Sequence, residues 1–205
     1  FYTLHAIGVF MTCVDGDHAQ WGFPEGSSYK SCLVNGLLLD AKGQKMSKRL
    51  GNQVKPDEAI ARHGADAIRW SLIAAGAAHQ SRRYDDGAIE DTRRRVLGTL
   101  ASCYDFFALY AGTEGWTLEQ KTQARPRPER SALDRWILDR LDGTAIACAA
   151  AWENLEPHLA ARALDSLIVD HLSNWYVRRS RPRFWGGTNR PDQLDAFATL
   201  HEVLE

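Results

Sequence analysis

The chain has 205 residues, 44% of them hydrophobic and 25% charged, which excludes wholesale disorder and allows one large domain or two small ones. A formal net charge of -1 excludes a whole-surface basic field, so any contact with nucleic acid has to be local. There is no run of about eighteen apolar residues, and Cys13, Cys32, Cys103 and Cys148 form no Cys-x-x-Cys pair, so neither a membrane span, a zinc knuckle nor a disulfide framework is expected. A reduced cytoplasmic protein with buried thiols is the default. The chain opens on Phe1 and Tyr2 with no initiator Met or leader, and is expected to be a piece of a longer polypeptide.

In chain order, the apolar stretch Phe1 to Met11 predicts a buried helix, and Asp15 to Ser28 collects Gly, Pro and Ser as loops do. Cys32 to Leu39 is apolar but too short for a typical helix; it predicts a buried strand broken by a turn at Asn35 and Gly36. Asp40 to Asn52, polar and lysine-rich with two glycines, predicts an exposed loop. Pro56, Asp57 and Glu58 suit the first turn of a helix that Gly64 can end, and a second helix runs from Ala65 to Ala75.

Beyond Tyr84 helical periodicity takes over. Val96, Leu97, Leu100, Tyr104 and Phe107 share one face. So do Leu133, Trp136, Ile137, Leu141, Ala145, Cys148 and Trp152, and then Leu164, Leu167, Ile168, His171, Leu172 and Trp175. Three such stripes pack best as an antiparallel bundle, with Thr113 to Ser131 as a connector and a last helix after Pro191. The expected division is therefore residues 1–83 and 84–205.

The residues that speak most directly of chemistry are Lys45-Met46-Ser47-Lys48-Arg49, followed by Leu50-Gly51-Asn52. Two ammonium groups three residues apart on a mobile loop can close on a polyphosphate, and the Ser47 hydroxyl can orient the turn or donate to an oxygen. When a carboxylate attacks the α-phosphate of ATP, charge gathers on the departing pyrophosphate. Cations that reach it only then lower the barrier. Lysines on a glycine-bounded loop are most often a solvated surface. The whole word, with an apolar run before it and Gly-Asn, Pro-Asp and Gly-Ala-Asp-Ala after it, outweighs that reading.

This word resembles the Lys-Met-Ser-Lys-Ser loop of class I aminoacyl-tRNA synthetases. The resemblance implies that Lys48 contacts the ATP phosphates in the transition state, that Lys45 assists, that Met46 lies by the adenine and that Ser47 belongs to the same ATP-binding set. Arg49 stands where the class has serine, a departure common in its isoleucine branch. Gly64 to Trp70 is similar to the helix that follows the catalytic loop in several class I enzymes. Asp134-Arg135-Trp136-Ile137-Leu138 is similar to the start of an anticodon-domain helix, and Phe1-Tyr2-Thr3-Leu4 to the return from the editing insertion. Leu172 to Arg181, followed by Arg183, Phe184 and Trp185, resembles the isoleucine branch in particular. The resemblance covers nearly the whole chain.

It implies a mostly α fold with a small α/β part: the end of a Rossmann-like catalytic domain with its loop, then a truncated helical anticodon-binding bundle. The implied partners are ATP with Mg2+, isoleucine and isoleucine tRNA, with no membrane and, by default, a monomer. The piece alone is expected to be inactive, since the His-Ile-Gly-His motif, the amino-acid pocket and the editing insertion are absent from it. The alternatives are a valine or related class I synthetase, or a non-catalytic tRNA-binding module; the latter would have little reason to keep Lys45, Ser47 and Lys48 together.

Physically, His171 to Arg190 holds Arg178, Arg179, Arg181, Arg183 and Arg190 with no acid, beside Trp175, Tyr176, Phe184 and Trp185. Guanidinium groups pair with phosphates and aromatic faces stack on unpaired bases, so Arg178, Arg179, Arg181 and Arg183 are the candidate tRNA contacts. The competing reading puts Trp175 in the core and the arginines in ion pairs. Asp85, Asp86 and Glu90 are read as helix-dipole partners, His5-Ala6-Ile7-Gly8 as core helix and Asp15-Gly16-Asp17-His18 as a surface turn. The seven histidines show no ligand spacing, and no metal site is expected.

Overall fold

The computed structural model describes residues 2–13, 32–185 and 190–205. The Asp15–Ser28 loop, including the Asp15–His18 turn, lies outside them. By packing, the chain divides into two compact units, Phe1–Asn35 and Gly36–Glu205.

In the first unit α1 (Tyr2–Cys13) forms where the apolar run predicts it, but the side chains described on it, Tyr2 to Ile7, are not buried. Tyr2 is 83% and Leu4 74% exposed, and Ile7 is exposed as well. A unit below about forty residues encloses too little apolar surface to cover a helix. The stretch around Leu33 and Val34 is likewise exposed and irregular.

In the second unit the expected strand shrinks to β1 (Leu38–Leu39), which pairs in parallel with β2 (Arg82–Arg83). A strand exists only where its backbone groups find partners: the Arg82 and Tyr84 N–H groups donate to Leu37 O and Leu39 O. Gly36 carries the approach to β2. Its N–H donates to Ala78 O, and a Cβ there would stand 2.2 Å from Gln80 O, a space that only glycine can occupy. Two helices connect the strands. In α2 (Pro56–His63), Pro56 opens the first turn, Asp57 and Glu58 complement the dipole, and Gly64 at φ 81° ends it; α3 (Ala65–Ala74) follows at once.

The remainder is helical. Asp85 caps α4 (Asp86–Thr92) by accepting from the Gly87 N–H, and a π-helical stretch, Arg93–Leu97, leads into α5 (Gly98–Glu114). After a connector with 3-10 turns, Ser131 caps α6 (Ala132–Glu153); α7 (Pro157–Ser166) continues as a π-helical segment, Leu167–Val177, into α8 (Arg178–Phe184), and α9 (Arg190–Leu204) closes the bundle. Ile137, Leu138, Leu172, Tyr176, Phe184 and Phe197 form the fully buried centre. Each such side chain contributes on the order of 1.5–3 kcal/mol by leaving water.

The wider π turns change which residues reach that centre. Trp175, expected in the core, is 45% exposed, and Tyr176 takes its place at 0%. Tyr104 is also exposed, while Cys103 is buried. Trp152 closes its stripe outside the core, on an open cleft between α3, α6 and α7. The thiols divide too: Cys103 is buried, Cys148 half-buried and Cys32 exposed, all three free. The α3 helix is fastened to the bundle through Asp165, which accepts from the Trp70 indole at 2.7 Å and from Arg95 at 2.9 Å.

Candidate functional site

The Lys45–Arg49 loop is held at its base and free at its tip. Asp40 gathers the incoming arm: its Oδ1 accepts from the Lys42 and Gln44 N–H groups at 3.0 and 2.7 Å, and its Oδ2 from the Asn52 amide at 2.9 Å. Asn52 closes the outgoing arm, donating to Lys45 O at 3.3 Å and accepting from the Ser47 N–H at 2.9 Å. The Asn52 amide, then the Gln44 N–H, holds the Asp40 carboxyl below the usual carboxylate range. Ser47 caps the short turn Lys48–Leu50 by accepting from the Leu50 N–H, and Gly51 at φ 64° reverses the chain. Asp40 and Asn52 were not singled out by sequence reasoning. The signal was an Asx residue at each end of a glycine-bounded loop, the residue type that bonds its own backbone.

The structure brings Lys45, Met46, Ser47 and Lys48 together. Both lysines are exposed and, among the described residues, neither has an ion-pair or hydrogen-bond partner for its ammonium group. Two cations are thus carried on a pinned hairpin without a neutralising partner among the described residues. Met46 does something else: it packs on the small core of Ala59, Ala67, Tyr84 and Ile89, and so ties the loop to α2, α3 and α4. Beside it, the Asp86 carboxylate accepts from Arg62 at 2.8 Å and from Tyr84 at 3.0 Å and lies 2.7 Å from His63 Nε2. His63, then Tyr84 and Arg62, hold Asp86 low despite partial desolvation. Of the three acids read as dipole partners, Asp85 caps α4, Asp86 cross-links α2 to α4, and Glu90 pairs with Arg93.

The arginine-rich segment does not act as one patch. Arg183 turns inward and forks onto Asp134 at 2.8 and 2.7 Å, and it also bonds Asp192. Tyr176, fully buried, donates to the same Asp134 carboxylate at 2.7 Å, as does Ser131 at 2.6 Å. Burial works to raise Asp134, but Arg183 overcomes it and the carboxyl sits low; burial works against the charge of Arg183, and Asp134 and Asp192 raise it. Arg183 therefore joins α6, α8 and α9 and is not offered to solvent. Arg178, Arg179 and Arg181 are exposed, and the Arg179 guanidinium lies 3.8 Å from the centre of the Trp175 ring. Among the described residues no cluster of three or more His, Cys, Asp or Glu side chains could hold a metal, and no helix is long and apolar enough to cross a membrane.

Residues 16–83 match the family described as tRNA synthetases class I (I, L, M and V), and residues 134–205 match the anticodon-binding domain of tRNA ligase. Among solved structures, the chain is similar to a methionyl-tRNA synthetase of Mycobacterium tuberculosis in complex with methionyl-adenylate, with TM-score 0.63 and 23% identity over 82% of this chain and 32% of that one. It is also similar to the Agrobacterium radiobacter K84 agnB2 LeuRS in its ternary complex with tRNA and LeuAMS, with TM-score 0.55 and 22% identity over 83% of this chain and 20% of that one. These two show the fold. The chain belongs to the class I aminoacyl-tRNA synthetases.

Its curated relatives narrow the class. The isoleucine–tRNA ligase of Bacteroides fragilis is 40% identical over 205 residues, that of Thermobifida fusca 46% over 180, and that of Thermus thermophilus 37% over 205. Within the class, the chain falls in the isoleucine–tRNA ligase branch. It spans 17–18% of the length of these relatives.

Proposed function

We propose that the chain supplies two working parts of an isoleucine–tRNA ligase: the loop that steadies pyrophosphate as isoleucine is activated, and part of the surface that holds the tRNA. The isoleucine carboxylate oxygen bonds to the α-phosphorus of ATP, the bond to the β-bridging oxygen breaks, and pyrophosphate leaves with the electron pair. Lys48, assisted by Lys45, approaches the leaving phosphates as that charge develops; Met46 and Ser47 complete the ATP-binding loop. Mg2+ enters as the counter-ion of the ATP substrate. In the second step a hydroxyl oxygen of the tRNA bonds to the isoleucyl carbonyl carbon and gives up its proton, the bond from that carbon to the phosphate oxygen breaks, and AMP leaves with the electron pair. Residues 1–83 serve the chemistry, and residues 84–205 serve the tRNA. The site of action is the cytoplasm and the working unit a monomer.

The single observation that carries this reading is the pair of exposed ammonium groups, without a partner among the described residues, on a hairpin pinned by Asp40 and Asn52. Exposed cations on a loop pinned at its base can meet a polyanion late in the reaction, and leave again with the product. Isoleucine-dependent exchange of pyrophosphate into ATP by the whole protein is the test. Exchange with valine in preference to isoleucine would move the protein to another branch, and no exchange with either would end the reading.

A further inference from the structure

Trp175 is 45% exposed, and its ring does not face empty solvent. The Arg179 guanidinium covers it at 3.8 Å, while Trp136 of α6 stands 6.2 Å away, tilted by 53°. Trp136 is in turn approached by His171 at 5.5 Å and by the Arg140 guanidinium at 5.8 Å. Two indoles thus lie side by side across α6 and the π-helical segment, with a guanidinium on each. Among the described residues, Arg140, Arg178, Arg179 and Arg181 have no carboxylate partner, in a molecule whose other arginines are mostly paired. Of the acids nearest in sequence, Asp142 pairs with Arg127 and Asp170 accepts from Ser166, while Asp139 has no ion-pair or hydrogen-bond partner for its carboxylate among the described residues.

We propose that this face is a stacking site for an unpaired RNA base, and that Arg179 is its displaceable cover. The chemistry is specific to a nucleotide. An indole face accepts a base of any identity, and unneutralised guanidinium groups beside it fit the phosphates on either side. The Arg179 guanidinium occupies the ring face on which a base would stack, so Arg179 exchanges the ring for a phosphate as the base enters. Cation and base are alternatives on the same face, which keeps the indole covered until RNA arrives. The inference deepens the tRNA half of the proposed function, and rests on it only for the choice of RNA.

The test titrates the whole protein with an isoleucine-tRNA transcript by fluorescence anisotropy over a range of salt concentrations. Trp175→Ala is expected to weaken binding about tenfold at every salt concentration, and Trp175→Phe to recover most of the loss, as for one lost stacked base. Arg179→Ala is expected to flatten the slope of log K against log salt by about 0.7, the value for one phosphate contact of a single strand, and to bind at high salt no more weakly than wild type. An oligoadenylate strand should compete well and an abasic strand of equal charge poorly. Trp175→Ala within twofold of wild type, Trp175→Phe as weak as Trp175→Ala, an unchanged slope for Arg179→Ala, or equal competition by the abasic strand would each overturn the site. Because Trp175 stands outside the core, circular dichroism of Trp175→Ala is expected to match wild type; should it not, Arg179→Ala and the abasic strand decide. Wild-type pyrophosphate exchange, measured alongside, separates the two failures: its absence counts against the proposed function, and its presence with indifferent Trp175 variants counts against this site alone.

Discussion

The Lys45–Arg49 loop and the Arg178–Arg183 helix are both runs of cations in sequence, and the fold treats them oppositely. The loop keeps its cations outside by building its order from short polar bonds at its base, where Asp40 and Asn52 hold backbone groups. The helix is split by its own periodicity: Arg183 goes inward onto Asp134 and Asp192, and Arg178, Arg179 and Arg181 stay in water. A cation without a partner in the fold is available to a ligand. One forked onto a buried carboxylate is already spent on holding three helices together.

The sharpest way to break this comparison is at Asp134. Asp134→Ala leaves Arg183 and the Tyr176 hydroxyl without their buried acceptor, and is expected to destabilise the chain by about 3–5 kcal/mol, read from urea denaturation by circular dichroism. A loss near that of a surface substitution would show the cluster to be dispensable. Lys48→Ala makes the opposite demand. Its stability should be that of wild type while the single-turnover rate of adenylate formation in the whole protein falls by about two to three orders of magnitude, as for loss of a transition-state donor. An unchanged rate removes Lys48 from the mechanism.

Acid sharpens the contrast. Asp134 is held low in the folded state, so its contribution to stability is complete above the ordinary carboxylate pKa of about 3.9 and is lost as pH falls through the lower folded value. Asp134→Asn should flatten the acid limb of the stability profile, and an identical limb in mutant and wild type would assign acid sensitivity elsewhere. At the loop, Asn52→Ala unties both arms while leaving the lysines in place. An adenylation rate lower by about tenfold is expected, with binding of ATP in the ground state little changed, because the loss is one of positioning. The smallest effect belongs to Arg178→Ala and Arg181→Ala, each within about 0.5 kcal/mol of wild-type stability by the same denaturation. A larger cost would mean that these arginines, like Arg183, belong to the fold.

Much of this was legible in the chain. Pro56 and Gly64 bracket α2 as their backbone preferences require, and the Lys-Met-Ser-Lys word located the loop and its class. These features are local: φ restriction, caps and a contiguous motif act over a few residues, and can be read there. The branch assignment also came from a contiguous stretch, Leu172 to Trp185, and the relatives agree with it.

What only the tertiary structure decided is partnership across distance. The apolar stretch from Cys32 became a two-residue strand because backbone pairing began only at Gly36, where β2 comes within reach. Trp175 lost the core to Tyr176 because π-helical turns shift the register of a stripe counted at ordinary helical spacing. Arg183 was separated from its neighbours by carboxylates at Asp134 and Asp192, one of them 49 residues away in sequence. Local sequence sets what each segment can form; burial and charge pairing, which depend on what the rest of the chain brings alongside, set which side chains are left for function.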